Sequence, residues 1–327
     1  MFSLVFVVTT SCQLSCPHCL REGAGDRHLS LSLIEKAFSG ASAYGLDGVH
    51  LTGGEPFLYP DLPGVFDLAR RFGVPLTFST NGLLLENNAG LLEKNRDLIR
   101  FLNISVDASA AASYEAIRGS GQFPVLLRNV KYCRQKRIPF GFNACLHAMN
   151  RDDPVALDRF ARRCGARHLN FSTALPCRRS QKNACVLSAT QRRELMRQVQ
   201  SAAHMAQMDP LHLFSVPVYL GEPLWASSGA VMCANQSLRG LTIDVDGSVH
   251  FCCFLTFYGL APELEKKLRL VSLNDVSFEK GLEIFTDTLL AFVRSRIVER
   301  RQGAPQDDID FNSCFYCYKK LGLPQYL

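Results

Sequence analysis

Apolar residues recur along the chain in two alternating rhythms. Short runs rich in Val, Leu, Ile and Phe, at residues 4–9, 48–51, 75–79, 101–106, 141–146 and 168–172, have the length and composition of β-strands. Between them apolar positions return every three or four residues, which predicts helices over residues 32–44, 62–72, 85–100, 125–137 and 154–164. Strands alternating with helices imply a parallel sheet with helices outside it, an α/β fold. In such folds the loops that follow the strands build the site.

After Ala174 the alternation stops. A basic loop flanked by cysteines, PCRRSQKNAC, leads into a helix predicted over residues 189–208 and then a stretch punctuated by Pro and Gly over 210–229. The segment LTIDVDGSVHFCCF reads as a hairpin with its turn at Asp246-Gly247. A helix over 279–299 and a tail bearing Cys314 and Cys317 follow, and the chain has no repeat of fixed period and no low-complexity segment. Its 327 residues suffice for one large α/β domain, or for a barrel-like domain with a smaller appendage.

The formal charge of +6 is mild, with its densest patches at residues 162–167, 178–182 and 296–301. Such patches suit an anionic substrate or a peptide as well as nucleic acid, and solvated helix faces account for each of them. The opening MFSLVFVVTT lacks a basic leader and is too short to span a bilayer, so it reads as a buried first strand. With no export signal the expected location is cytoplasmic, with no membrane partner. The thirteen cysteines then read as metal ligands or reactive thiols rather than disulfides.

In TTSCQLSCPHCLREG, Cys12, Cys16 and Cys19 follow the first strand on one compact loop. Three such thiolates match a soft metal or an iron–sulfur cluster. Zinc would want a fourth close ligand, and His18 is held tightly between Pro17 and Cys19. Three ligands on a four-iron cube leave one iron open.

This spacing resembles the CxxxCxΦC signature of the radical S-adenosylmethionine (radical SAM) superfamily, with His18 at the ring position, and the resemblance covers most of the chain. It implies a partial (β/α)6 TIM barrel. LTGGEP places Gly53, Gly54 and Glu55 where the family holds the methionine amino group of SAM. STNG places Ser79 and Asn81 at the end of the third strand, and ISVDAS places Ser105 and Asp107 where the family contacts the SAM ribose or carboxylate. YEAIRG (114–119) looks like a helix common among members that modify peptides and small molecules. Taken singly, Gly53-Gly54 and Asn81-Gly82 read equally as tight turns, and Asp107 as a helix cap. The resemblance implies SAM bound at the open iron of a [4Fe–4S] cluster and cleaved to a 5′-deoxyadenosyl radical that abstracts hydrogen. It also implies a one-electron donor such as flavodoxin or ferredoxin. The lack of a paired-carboxylate or Ser-His-Asp constellation agrees with radical chemistry.

Downstream, Cys233 and Cys252 in a Cx13Gx4C pattern and the CxxC of Cys314 and Cys317 resemble the twitch appendage, a shortened SPASM domain binding one auxiliary [4Fe–4S] cluster. Ten residues follow Cys317, none a cysteine, so a further cluster is not expected. A structural zinc site is the competing reading of the same four thiols. The expected organisation is a radical SAM barrel over 1–185, a connecting helical segment over 186–230, and a small C-terminal twitch-type iron–sulfur domain over 231–327. Cys133, Cys164 and Cys145 read as buried small hydrophobes. Cys177 and Cys185 read as loop residues near the site mouth, without a role or in contact with substrate.

The resulting expectation is a radical SAM enzyme that abstracts hydrogen from a ribosomally made peptide, with Cys253 as hydrogen donor in an epimerisation. A twitch-type dehydrogenase or epimerase of an aminosugar or cyclitol is the alternative. Because the first strand begins the chain, leader recognition would fall to a separate leader-peptide-binding protein or to the basic loops. A non-catalytic metal- or nucleic-acid-binding protein is the more distant reading, and no aromatic-interleaved basic motif supports nucleic acid.

Overall fold

Most strands of the barrel have an apolar outer side and a polar inner one. In the computed structural model, β3 (Leu76–Thr80) buries Leu76 and Phe78 on one side and turns Thr77 and Ser79 to the other. The same alternation sets Leu102 and Ile104 against Asn103 and Ser105 in β4 (Ile99–Ser105), Phe142 and Ala144 against Asn143 and Cys145 in β5 (Phe140–Leu146), and Phe171 against Asn170 and Ser172 in β6 (Leu169–Thr173). A parallel strand packed on both faces reads as a nearly continuous apolar run, and a closed TIM barrel fills its interior with branched aliphatics. Here the inner face is polar instead. Asn170 Nδ2 donates to Asn143 Oδ1 at 3.0 Å, and His168 Nε2 meets Asn103 Oδ1 at 3.1 Å.

The structure describes residues 2–21, 25–151, 154–188, most of 190–199, 214–215, 240–252, 256, 262–302, 317 and 319–322. Strands β1 (Phe2–Thr9), β2 (Leu46–Gly53), β3, β4, β5 and β6 pair in parallel in chain order. Two-residue β7 (Phe214–Ser215) adds to β6. At the other edge β8 (Gly240–Ile243) pairs in parallel with β1, and β9 (Ser248–His250) and β10 (Arg269–Ser272) continue antiparallel. The sheet is open, with β10 and β7 as its ends. Lying between β2 and β8 explains why β1 is the most apolar strand: nearly all of it is buried.

The helices cover the outer face. Phe6 stacks on Phe38 of α1 (Leu31–Ser42) at 6.1 Å, Phe78 meets Phe66 of α2 (Leu62–Phe72) at 5.9 Å, and Phe142 meets Phe160 of α6 (Pro154–Cys164) at 5.8 Å. Each such ring contributes on the order of 1.5–3 kcal/mol by burial. α2 starts with Pro63 in its first turn and stops at Gly73, whose φ of 65° lets its N–H reach the Ala69 and Arg70 carbonyls.

One expected helix is broken. Residues 85–100 form a 3₁₀ turn at Glu86–Asn88, α3 (Ala89–Lys94) and a second 3₁₀ turn at Arg96–Leu98 before β4 begins at Ile99. The asparagines divide it: Asn88 and Asn95 donate through their side chains to the Leu84 and Leu91 carbonyls, at 2.9 and 3.0 Å.

The remaining helices of the barrel are α4 (Ala111–Arg118), α5 (Gln122–Gln135) and α7 (Arg178–Lys182). The hairpin turn at Asp246-Gly247 forms as expected. Gly247 has φ 81°, and a Cβ there would stand 2.7 Å from Asn274 and Leu33. Sequence reading missed α8 (Pro262–Leu268) and β10; it placed α9 (Phe278–Arg301) within two residues. α9 is seated on α1 so closely that a Cβ at Gly40 would fall 2.5 Å from Phe278. Part of the helix expected over 189–208 is present among residues 190–199; the rest lies outside the described residues. Among the described residues no helix is long and apolar enough to cross a membrane.

Candidate active site

The loop carrying Cys12, Cys16 and Cys19 is tied down at its start by backbone bonds to the end of β2. Gly54 N donates to Thr9 O at 2.7 Å and Glu55 N to Ser11 O at 2.8 Å. Only glycine allows this approach, since a Cβ at Gly53 would lie 2.3 Å from Thr9 O and one at Gly54 2.2 Å from Ser11 O. The Gly-Gly pair is therefore more than a turn: it lets two chains meet backbone to backbone.

All three cysteines line one cavity of ≈ 280 Å³ at the C-terminal ends of the strands, together with Gly53, Gly54, Ser79, Asn81, Ser105 and Asp107. Asn81 Nδ2 faces Cys12 Sγ at 3.9 Å, and its Oδ1 accepts from Leu83 N and Gln13 Nε2. Ser79 Oγ bonds His50 Nε2 at 2.9 Å. Burial pushes the Cys12 thiol up to about 11, and also raises Cys16, where the Arg118 guanidinium pulls the other way. Thiols in this state become ligands when a cationic centre takes the proton's place. Among the described residues no group of three His, Cys, Asp or Glu is drawn together as for a single ion. Ligands of a four-iron cube each bind a different iron, so the residues present fit a cluster.

Glu55 is buried and absent from the cavity wall. Its carboxylate accepts from Asn81 N and Thr80 Oγ1, both at 2.7 Å, and from Phe57 N at 3.2 Å, binding the loop after β2 to the end of β3. Burial pushes it up to about 7 against those hydrogen bonds. Asp107 does line the cavity but caps no helix; the residue preceding α4 is Ala110. It is fully buried, receives Arg118 Nη2 at 2.6 Å and Nε at 2.7 Å, and accepts from Cys145 N at 2.9 Å. Burial works against its charge, but Arg118 and His18 hold its carboxyl below the usual range. His18 Nε2 stands 3.6 Å from Asp107, its ring lies 4.7 Å from that of His147, and burial keeps it neutral by lowering it to about 4.

Residues 6–161 match the family model described as the radical SAM superfamily. The chain carries a radical SAM domain. The probable GTP 3′,8-cyclase of Pyrococcus abyssi (strain GE5 / Orsay) is 32% identical over 162 residues, 49% of this chain and 52% of that protein. The Fe-coproporphyrin III synthase of Methanosarcina barkeri (strain Fusaro / DSM 804) is 26% identical over 161 residues, 47% of this chain and 40% of that one. The chain thus matches about half the length of these curated relatives. In fold it is similar to native anSMEcpe with bound AdoMet (TM-score 0.72, 16% identity, 100% of this chain and 98% of that chain). It is likewise similar to Streptococcus suis SuiB bound to precursor peptide SuiA (TM-score 0.67, 16% identity, 90% and 66%). At such identities the likeness is one of fold, an α/β partial TIM barrel with an open sheet.

Sequence reasoning passed over Arg118 as a site residue of the radical SAM domain. It lies in the YEAIRG stretch, yet arginine is rarely buried, and nothing in the sequence pairs it with Asp107 eleven positions earlier. Cys145, His147 and Thr173 were passed over as well; Cys145 and Thr173 line the cavity, where the Thr173 hydroxyl is buried without a hydrogen-bond partner among the described residues.

Cys177 and Cys185 are both buried rather than at the mouth. Cys177 Sγ donates to Cys19 O at 3.5 Å while Asn183 Nδ2 donates to Pro17 O at 3.2 Å, so the segment after β6 holds the cysteine loop from above. Cys177 also caps α7, exchanging bonds with Ser180. Arg21 spans from the cysteine loop to Gly53 O at 3.4 Å and Thr256 Oγ1 at 3.0 Å. Of the C-terminal candidates, Cys252 is half-buried and Cys317 buried, whereas Cys233, Cys253 and Cys314 lie outside the described residues.

Proposed function

We propose that the chain is a radical SAM enzyme whose Cys12, Cys16 and Cys19 hold a [4Fe–4S] cluster and whose cavity binds SAM beside it. The observation that carries this reading is the convergence of three thiols, a glycine pair and a buried arginine on one cavity at the strand ends. When bound, the cluster and SAM supply a 5′-deoxyadenosyl radical able to remove hydrogen from an unactivated carbon. The chain's residues set the geometry. Gly53 and Gly54 keep the cavity wall free of side chains next to the cysteine loop, and Arg118, steadied by Asp107, offers its guanidinium to an anionic group such as a carboxylate. Ser79, Asn81 and Ser105 add hydroxyl and amide groups, and Glu55 braces the loop that presents the glycines. Anaerobically reconstituted protein is expected to cleave SAM to 5′-deoxyadenosine. Undiminished cleavage by the Cys12/Cys16/Cys19 triple alanine variant would remove the assignment.

The second half of the proposal concerns substrate and auxiliary cluster. Cys233, Cys252, Cys314 and Cys317 bind one further [4Fe–4S] cluster in a twitch-type C-terminal domain over 231–327, the barrel spans 1–185, and 186–230 connects them. A peptide is the substrate, with Cys253 returning a hydrogen atom to it, a flavodoxin or ferredoxin supplying electrons, and a separate protein recognising any leader. Fold likeness over the whole chain to anSMEcpe, solved with AdoMet and Cp18Cys peptide, supports a peptide. The relatives named as GTP 3′,8-cyclases match at most about half of this chain, and the family match ends at residue 161, so they speak for the radical-generating part. Iron analysis should find about eight irons per chain, falling to about four in the triple variant; stoichiometric zinc would favour a structural zinc site. Candidate peptides, aminosugars and GTP assayed side by side in D₂O decide the substrate. A deuterated epimer lost in Cys253→Ala supports the donor, and a two-electron-oxidised product without deuterium replaces epimerisation by dehydrogenation.

A further inference from the structure

The loop that carries Cys12, Cys16 and Cys19 separates the cavity from solvent by a single layer of chain. Leu14 and Cys16 line the cavity, while Gln13 and Ser15 are exposed. Beside this outer face lies α7, whose Arg178 and Lys182 are exposed and form no ion pair among the described residues. Two contacts fix it there: Cys177 Sγ donates to Cys19 O at 3.5 Å, and Asn183 Nδ2 to Pro17 O at 3.2 Å. The loop after β5 joins the same surface, since Ala148 N donates to Cys185 O at 3.2 Å and the His147 ring lies 4.7 Å from that of His18. In that loop Met149 is 47% exposed, an uncommon degree for a large apolar side chain in this molecule. Neither residues 9–21 nor residues 174–193 contain an Asp or Glu, and the second stretch holds five Arg or Lys.

We propose that the face formed by Gln13, Ser15, Met149, Arg178, Lys182 and Asn183 is where an acidic one-electron carrier protein docks to load the cluster. The proposal rests on the cluster assignment made above. Electron tunnelling weakens exponentially with distance, so the redox group of a carrier must come close to the cluster, and here only the cysteine loop intervenes. The transfer itself is simple: the carrier loses one electron, the cluster gains it, and no bond forms or breaks. A carrier that must depart after each electron needs a small interface in which charge steers the encounter, rather than a large apolar area that would hold it. The exposed cations of α7, with no acidic residue in their own segment, attract an acidic partner, and Met149 gives the face a limited apolar centre. An anionic peptide would feel the same charges. A substrate, however, has to reach the cavity, and none of these six residues lines it.

The test is SAM cleavage by the reconstituted holoenzyme and by its Arg178→Glu/Lys182→Glu variant, driven either by reduced flavodoxin, an acidic carrier, or by photoreduced 5-deazaflavin, a small reductant that needs no docking surface. At low salt and limiting flavodoxin the variant's flavodoxin-driven rate is expected to fall about tenfold, with Arg178→Gln/Lys182→Gln in between. The deazaflavin-driven rate should stay that of the wild type. Added NaCl should slow the flavodoxin-driven reaction of the wild type and leave that of the charge-reversed variant unchanged. Equal flavodoxin-driven rates in wild type and variant overturn the proposal. An equal fall with both reductants, or iron lost from the Gln variant as well, makes the two cations supports of the cysteine loop and overturns it too. So does a wild type that cleaves SAM with deazaflavin but with neither flavodoxin nor an acidic ferredoxin. A raised KM for peptide beside an unchanged flavodoxin-driven rate assigns the face to an anionic peptide instead. A wild type that cleaves no SAM with any reductant removes the cluster assignment itself.

Discussion

Arg118 closes on Asp107 through both Nη2 and Nε, at 2.6 and 2.7 Å, and the pair stands almost entirely out of solvent at the edge of the cysteine-lined cavity. Asp107 simultaneously accepts from Cys145 N, and its own carbonyl receives Asn150 Nδ2 at 2.7 Å, so one carboxylate ties α4 to the ends of β4 and β5. Removing one member of a buried pair leaves the other's charge unpaired. Asp107→Ala is therefore expected to destabilise the protein by about 3–5 kcal/mol in urea unfolding. A cost below about 1 kcal/mol, the range of exposed pairs, would show that the pair is hydrated in solution.

That pair also sets a pH dependence. Asp107 is held below the ordinary carboxylate range in the folded state, so its stabilisation is fully present above that range and disappears as pH falls through the folded value. Glu55 works in the opposite sense. Raised to about 7 from 4.5, it binds its proton more tightly folded than unfolded. Stability should therefore fall by on the order of 3 kcal/mol as pH rises between those values, and level off beyond. Unfolding of Glu55→Gln measured from pH 4.5 to 7.5 should flatten that slope; an unaltered slope would assign it to other groups.

Gly54→Ala places a methyl group 2.2 Å from Ser11 O, a backbone atom that can yield only by moving the cysteine loop. SAM cleavage and iron retention are expected to fall at least tenfold with little change in far-UV circular dichroism, a loss of about 1.4 kcal/mol or more. Gly90→Ala is the control. Within α3 an added Cβ meets nothing within 4 Å, and the substitution should stabilise the protein by about 0.5–1 kcal/mol without altering iron content.

Cys177→Ala removes the S–H···O contact that holds Cys19 and the cap of α7. Loss of about 0.5–1.5 kcal/mol is expected, together with faster iron release to a chelator. Cys177→Ser, which keeps a donor and an acceptor, should restore slow release. Equal release from the wild type and both variants would show that the loop is held without this contact.

Much of this molecule is legible in local pattern. Alternation between period two and period three to four marked the six barrel strands, and the helices over 62–72 and 154–164 to the residue, because each strand and helix must bury one face whatever lies opposite. Asp246-Gly247 announced its hairpin because a left-handed glycine is a local requirement. The cysteine spacing was legible for the same reason: three thiols on one loop need no tertiary fold to bring them near. The helix over 85–100 failed where Asn88 and Asn95 turned their side chains back on the chain, an option that periodicity does not weigh. What long-range contact decides was out of reach. Residues far apart in sequence, Asp107 with Arg118, Cys177 with Cys19, Gly54 with Ser11 and β8 with β1, meet only after the sheet has curled. Glu55 looked like a ligand contact until Thr80 and Asn81 took up its carboxylate, and Arg118, which the sequence did not single out, is buried against the Asp107 carboxylate. Sequence determines which groups are available and which faces are apolar; the curvature of the sheet decides which of those groups share a cavity, because hydrogen bonds and charge pairs act only over a few ångströms.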